Sequence, residues 1–156
     1  MKMTYSDTFN CSPQQLWPWI TDDEKSKQWL EGLERVEPKS SGPKRPGYEM
    51  KSFIREGRKL SEYDMTVLAY EPNRLYQVKS VGGCGKGATF VCEYQLVDLQ
   101  EGRTRVDFAW EIHTTSKLMK LFGPLFMLFG KKMLKRFLRK LRALAETRDG
   151  AVSAAH

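Results

Sequence analysis

The segment of residues 121–146, LFGPLFMLFGKKMLKRFLRKLRALAE, limits most strongly how this chain can fold. It starts as an uninterrupted apolar run and continues as a basic amphipathic pattern. The apolar run, residues 121–130, is ten residues long, whereas a helix needs about 20 apolar residues to cross a bilayer. The segment therefore predicts a helix that packs on the rest of a folded domain.

This pattern predicts a main helix over residues 124–147, after a short turn over residues 117–122. Large apolar residues recur in it at three- and four-residue steps: Phe126, Phe129, Met133, Phe137, Leu141 and Leu144. Basic residues lie elsewhere on the helical wheel: Lys131, Lys132, Lys135, Arg139 and Arg142. Such a helix has one apolar stripe for packing and one basic face for solvent. A stripe that covers a sheet cannot also lie in lipid unless the domain unfolds.

The upstream residues predict the sheet that this helix covers. Residues 2–9 alternate as a strand, Ser12 caps the first of two short helices that end near Gly32, and residues 33–38 form a short strand. After a polar loop, residues 47–113 predict an antiparallel meander. In each of its last two strands, every second residue is apolar or aromatic and lies on the same face: Phe90, Cys92, Tyr94 and Leu96, then Val106, Phe108, Trp110 and Ile112. We therefore expect one covered and one wet face.

Length and charge place one domain over residues 1–148, with a flexible tail over residues 149–156. The formal net charge is +7. Residues 117–150 contain ten Lys/Arg and two acidic residues, which leaves sixteen against seventeen for residues 1–116. Any electrostatic function is therefore predicted to lie in the C-terminal helix.

The amino terminus predicts a cytoplasmic protein, because no apolar stretch follows Lys2 as it would in a secretory signal. In that compartment Cys11, Cys84 and Cys92 are predicted to be free thiols.

The order of these elements is similar to that of the START-like superfamily, in particular its polyketide cyclase/dehydrase (SRPBCC) group. The resemblance rests on Cys11-Ser12-Pro13, Leu16-Trp17, Ile20-Thr21-Asp22, Trp29, Gly47, residues 67–72 (VLAYEP), residues 102–106 (GRTRV) and residues 141–146 (LRALAE). It implies an α+β helix-grip fold, in which a curved antiparallel sheet wraps around a long C-terminal helix and two short helices follow the first strand. It also implies an elongated cavity between sheet and helix for lipids, polyketides or other apolar molecules. Some relatives are cyclases, some are carriers or receptors, and others assist the assembly of other proteins.

Aromatic rings and hydroxyl groups on the covered face are predicted to line that cavity, because such pockets are mostly apolar with a few polar groups. The predicted lining consists of Trp29, Tyr48, Ser52, Tyr63, Met65, Phe90, Tyr94, Phe108, Trp110, Phe122, Phe126, Phe129 and Met133. The alternative is that most of these side chains only fill the core.

The sequence offers little for metal or nucleophilic catalysis. Its two histidines and three scattered cysteines give no ligand set, so neither a metal nor a cofactor is predicted. His113 lies at a strand end with the parity of the wet face, which predicts a surface or structural role. The glycine-rich residues 81–89, VGGCGKGAT, lack both the Walker pattern and a following helix. They are predicted to form a hairpin loop.

Three functions remain open from the sequence. The first is a non-enzymatic domain that binds or carries a small hydrophobic molecule, and the second is a cyclase or dehydratase that acts on an apolar substrate. The third is an adaptor that contacts an anionic membrane or a protein through Lys131, Lys132, Lys135, Arg139 and Arg142. Nucleic-acid binding is not predicted, because the aromatic residues of the helix share its apolar stripe rather than its basic face. The sequence predicts neither the ligand nor the oligomeric state.

Overall fold

The structure, a computed structural model, describes residues 1–83 and 87–154, those from 147 onwards by backbone alone. Its elements are β1 (Lys2–Phe9), α1 (Pro13–Thr21), α2 (Asp23–Ser26), β2 (Leu33–Pro38), β3 (Glu49–Glu56), β4 (Lys59–Glu71), β5 (Leu75–Gly82), β6 (Ala88–Gln100), β7 (Arg103–Thr114), α3 (Lys117–Leu121) and α4 (Gly123–Ala154).

These strands form one antiparallel sheet in the order β1-β7-β6-β5-β4-β3-β2. Strands β2 to β7 follow one another as a meander, and β1 joins the sheet beside β7. Helix α4 lies against one face of this sheet and buries its side chains there. The predicted α+β helix-grip fold is thus confirmed, with both short helices between the first two strands.

The two short helices begin at the predicted caps. The Ser12 hydroxyl accepts a hydrogen bond from the backbone N–H of Gln15 at 3.2 Å, and the Gln15 side chain accepts one from the Ser12 N–H at 3.0 Å. This reciprocal pair is a capping box. Asp22 caps α2 by accepting from the Lys25 N–H at 3.0 Å. Pro18 lies inside α1, which is only nine residues long.

Helix α4 covers the sheet with a face that is shifted from the predicted stripe, since Phe126, Phe137, Leu141 and Leu144 pack inward but Phe129 and Met133 do not. Its buried positions are Gly123, Gly130, Leu134, Leu138, Leu141 and Ala145. Phe129 and Met133, which belong to the predicted stripe, are 62% and 42% exposed. The cause is the close approach at Gly130, where an added Cβ would lie 2.8 Å from Cζ3 of Trp110. Because the helix meets the sheet through this glycine, Phe129 and Met133 turn outward.

The C-terminal half of α4 is fixed to the end of β1. Arg142 forms an ion pair with Asp7 and donates to the Thr8 carbonyl at 3.0 Å, while Glu146 accepts from the Asn10 N–H at 2.7 Å. Beyond these contacts the helix continues to Ala154 rather than ending near residue 147. The segment predicted as a tail from residue 149 is therefore helical as far as Ala154, and residues 155–156 lie outside the described residues.

Candidate ligand-binding site

The strand register sets the side chains of the inner face, the one that α4 covers, in rows across the sheet. The rows are Met50–Met65–Ser80–Phe90–Ile112, Val67–Val78–Cys92–Trp110–Met3 and Tyr76–Tyr94–Phe108–Tyr5. This register was not predictable for the middle strands. It gives the inner face a mostly aliphatic and aromatic surface with a few interspersed polar atoms.

Aromatic contacts connect one half of this face to helix α4. Phe90 and Trp110 are stacked with their ring centroids 6.0 Å apart, and Trp110 also contacts Phe126 of α4 at 5.8 Å. Tyr63 meets Phe90 edge-on at 6.4 Å. Trp110 and Phe126 are only half-buried, so this part of the interface presents ring surface that protein atoms do not fully cover.

A second aromatic group lies where α2 meets the centre of the sheet. Tyr94 contacts Phe108 at 5.2 Å and Trp29 at 6.4 Å, both edge-on. The Trp29 indole is 1% exposed, and its Nε1 donates to the Trp19 carbonyl at 2.7 Å. Trp29 therefore fixes the end of the helical segment to the inner face.

Cys92 and Tyr94 are two half-buried ionisable groups near the middle of this face. Burial raises the pKa of the Cys92 thiol to about 12, and burial also raises the pKa of the Tyr94 phenol well above its usual value. Both residues nevertheless remain half-buried by accessible surface. At neutral pH they are protonated, so neither is a ready nucleophile or base. They can serve as neutral hydrogen-bonding groups for a ligand.

A polar cluster lies at the end of β3, and the sequence prediction omitted its carboxylate. The Tyr63 hydroxyl donates to Glu56 Oε1 in a very short hydrogen bond, and Ser61 Oγ donates to Glu56 Oε2 at 2.7 Å. Ser61 is 1% exposed and Tyr63 8%. Glu56 has the same strand parity as Ser52, so continuing the alternation along β3 would have placed it on the inner face.

Gly83 of the glycine-rich loop packs directly on the Tyr63 ring. An added Cβ at Gly83 would overlap with that ring, and the residue has a φ of +69°. Gly57 in the β3–β4 turn has a similar φ of +64° but open space around its Cα. The predicted hairpin connection is present between β5 and β6, although residues 84–86 lie outside the described residues.

Replacing Gly83 with alanine is expected to lower the free energy of unfolding by about 2–3 kcal/mol, because backbone strain adds to displacement of Tyr63. Gly57→Ala is the matched control, and backbone strain alone should cost it about 1 kcal/mol. Urea denaturation of both variants measures the difference. Equal losses for the two variants would contradict the contact between Gly83 and Tyr63.

The structure divides the predicted lining residues into two groups. Ten of them are buried or half-buried: Trp29, Tyr48, Ser52, Tyr63, Met65, Phe90, Tyr94, Phe108, Trp110 and Phe126. Phe122, Phe129 and Met133 are instead 53%, 62% and 42% exposed, and we leave them out of the candidate site. Residues absent from the predicted lining include Glu56, Ser80, Cys92 and Ile112 on the inner face of the sheet and Met127 on α4.

An open depression of about 490 Å³ lies where β6 begins and β7 ends. Its lining consists of Met1, Gly87, Thr89, Ile112, His113, Thr114 and Thr115. His113 is exposed, as its strand parity predicted, and lies 3.5 Å from a Glu111 carboxylate oxygen. The threonine hydroxyls make this depression more polar than the inner face.

No helix in the described parts of the chain is long and apolar enough to span a membrane. Within the same residues, no group of three His, Cys, Asp or Glu side chains is placed to hold a metal ion.

Comparisons with known proteins agree with this architecture. Residues 1–146 match the family model described as "Polyketide cyclase / dehydrase and lipid transport". A conserved protein from Geobacillus kaustophilus superimposes with a TM-score of 0.78 at 12% identity, over 94% of this chain and 96% of that chain. No curated protein sequence matches significantly.

Two further solved structures share the fold. The Ara h 8.0201 structure has a TM-score of 0.75 at 16% identity and covers 94% of this chain and 98% of its own. A point mutant of norcoclaurine synthase from Thalictrum flavum, solved with a transition-state analogue, has a TM-score of 0.70 at 16% identity, with 96% of each chain covered. At these identities the likeness establishes the fold alone.

Proposed function

We propose that this chain, which belongs to the polyketide cyclase/dehydrase and lipid transport family, binds a small hydrophobic molecule between the inner face of its sheet and helix α4. The observation that carries the proposal is the inner face itself. Its rows are apolar and aromatic, several of their members (Met65, Cys92, Tyr94 and Trp110) are only half-buried, and a polar cluster bounds them at the end of β3. Mostly apolar surfaces with a few placed polar groups are typical of small-molecule sites.

The polar cluster suggests which ligands fit. The apolar body would lie against Met65, Trp110 and Phe126, which are half-buried side chains around the middle of the interface. A hydroxyl or amine on the ligand would then donate to the Glu56 carboxylate, which already accepts from Tyr63 and Ser61. We infer an apolar ligand with a hydrogen-bond donor at one end, and without a carboxylate there, since two anions would repel.

Filling the inner face should abolish this binding. Ser80 is half-buried between Met65 and Phe90 in one row, so Ser80→Trp would occupy ligand space. We expect this variant to bind 1-aminoanthracene, a fluorescent apolar amine, at least ten-fold more weakly than the wild type. Overpacking costs about 1–3 kcal/mol, so circular dichroism must first show that the variant is folded.

Val81→Trp is the matched control, because Val81 is adjacent in β5, faces the opposite side and is 42% exposed. It should bind the probe like the wild type. Equal and undiminished binding by both variants would place the probe outside the inner face and would refute the proposal.

The same polar cluster supports a second candidate, an enzyme of the cyclase or dehydratase type. A carboxylate hydrogen-bonded to a phenol can accept a proton and return it at a later step, and Glu56 and Tyr63 have this arrangement. Once a ligand is identified, incubation distinguishes the two candidates. A carrier returns the ligand unchanged, whereas an enzyme converts it, and Tyr63→Phe would then slow turnover with binding retained.

A further inference from the structure

Seven large apolar side chains form an exposed patch where α3 meets α4. We call this patch the apolar tip, and its members are Leu118, Leu121, Phe122, Leu125, Leu128, Phe129 and Met133. Their exposed fractions run from 42% to 74%. At about 200 Å² for a large side chain, the tip presents on the order of 800 Å² of apolar surface, more than soluble monomers usually expose in one patch.

Helix α4 therefore has two apolar faces in its first three turns. The inner one carries Met127, Gly130 and Leu134 and packs on the sheet. The outer one carries Leu125 and Phe129, which are 52% and 62% exposed. The tip can thus enter an apolar environment while the inner face keeps the domain folded, which removes the conflict that a single stripe would create.

Basic residues border the apolar tip on both sides. Lys117 and Lys120 lie in α3, and Lys131, Lys132 and Arg139 follow in α4. None of these five forms an ion pair with another residue that the structure describes. Residues 117–145 contain no acidic residue at all.

Three further basic residues of α4 are already engaged. Arg136 and Lys140 both pair with Glu31 at 2.7 Å, and Arg142 pairs with Asp7. The hydrogen bond from Lys140 helps to hold the pKa of Glu31 below its usual value. Of the predicted basic face, Lys131, Lys132, Lys135 and Arg139 form no ion pair with another described residue, so the available positive charge begins next to the apolar tip and continues along α4.

From this arrangement we propose that the apolar tip inserts into the surface of an anionic lipid bilayer, with Lys117, Lys120, Lys131 and Lys132 contacting lipid headgroups. An apolar surface beside a cationic one is the arrangement by which interfacial helices bind membranes. The proposal does not depend on the ligand site, because none of these residues lies on the inner face.

Charge decides between a bilayer and a second copy of this chain as the occupant. In a symmetric dimer the same patch would face itself. The unpaired lysines around one tip would then approach those around the other, with no acidic residue in residues 117–145 to compensate. An anionic bilayer supplies both an apolar interior and the complementary charge.

Vesicle co-sedimentation tests this proposal, with vesicles of phosphatidylcholine alone and with 30% phosphatidylglycerol. We expect the wild type to bind the anionic vesicles at least ten-fold more tightly than the neutral ones at low salt, with the preference falling as salt is added. Leu121→Ser/Leu125→Ser and Lys131→Glu/Lys132→Glu should each weaken binding to anionic vesicles at least ten-fold.

Matched controls lie away from the tip. Leu68→Ser/Val81→Ser removes two exposed apolar side chains of the sheet. Arg74→Glu/Arg103→Glu reverses one charge between β4 and β5 and one at the start of β7, at the end of these strands away from α3. Both controls should bind vesicles like the wild type. Ser80→Trp should also bind normally, which separates a failure here from a failure of the ligand site.

Two outcomes would overturn the proposal. One is wild-type vesicle binding that is absent or is unchanged in the Leu121→Ser/Leu125→Ser variant. The other is a lipid-free dimer, seen by analytical ultracentrifugation, that this variant dissociates, because the tip would then be an interface between copies of the chain.

Discussion

Replacement of Trp29 by alanine is expected to lower the free energy of unfolding by about 3–5 kcal/mol, the range for large aromatic residues in cores. The Trp29 side chain is 1% exposed, contacts Tyr94 edge-on, and donates a hydrogen bond to Trp19. Its loss leaves a cavity at the junction of α2 and the sheet. Urea denaturation measured by far-UV circular dichroism gives the change directly.

Two control variants define what Trp29 contributes. Trp29→Phe keeps most of the volume and should lose only about 1–2 kcal/mol; the Trp19 carbonyl still accepts from Ser26 Oγ at 3.2 Å. Gln28→Ala, at the exposed neighbouring position, should change stability by less than about 0.5 kcal/mol. A loss below about 1 kcal/mol in Trp29→Ala would contradict a packed junction at this residue.

The second large effect is expected at Glu56. Its carboxylate accepts from Tyr63 and Ser61, both of which are buried, and an unsatisfied buried donor costs about 1–3 kcal/mol. We therefore expect Glu56→Ala to lower the free energy of unfolding by about 2–4 kcal/mol. Glu49→Ala is the matched control, because Glu49 is also in β3 but is exposed on the outer face; it should be nearly neutral.

A double-mutant cycle separates the Glu56–Tyr63 hydrogen bond from other effects of these substitutions. Tyr63→Phe removes the donor, so adding Glu56→Ala to it should cost less than Glu56→Ala costs in the wild type. We expect an interaction energy of about 1–3 kcal/mol. An interaction energy near zero, or a Glu56→Ala effect equal to that of Glu49→Ala, would show that the pair does not act as described.

Local signals made much of the fold predictable. Ser12 and Asp22 cap helices through short-range hydrogen bonds, which depend on residues three positions away. The alternation of large side chains around Phe90 and Phe108 identified the covered face, because successive side chains of a strand point to opposite faces of the sheet. These predictions needed no knowledge of which strands are neighbours.

Long-range contacts account for what the sequence did not predict. Helical spacing alone gave α4 one apolar stripe that included Phe129, whereas the contact of Gly130 with Trp110 shifts the buried face so that Phe129 lies outside it. Trp110, which lies twenty residues before Gly130 in the chain, thus decides which side of the helix is buried. Glu56 was missed although continuing the strand alternation from Ser52 would have placed it on the inner face; its contacts with Ser61 and Tyr63 followed only once the β3–β4 register was known.

The most direct test of the central claim is native mass spectrometry of the gently purified protein, followed by organic extraction and identification of any released compound. The proposed function predicts one apolar molecule bound per chain, displaced by 1-aminoanthracene and absent from Ser80→Trp. A bare protein mass that also fails to take up any compound from a total lipid extract, in the wild type as in Ser80→Trp, would contradict a ligand site between the sheet and helix α4.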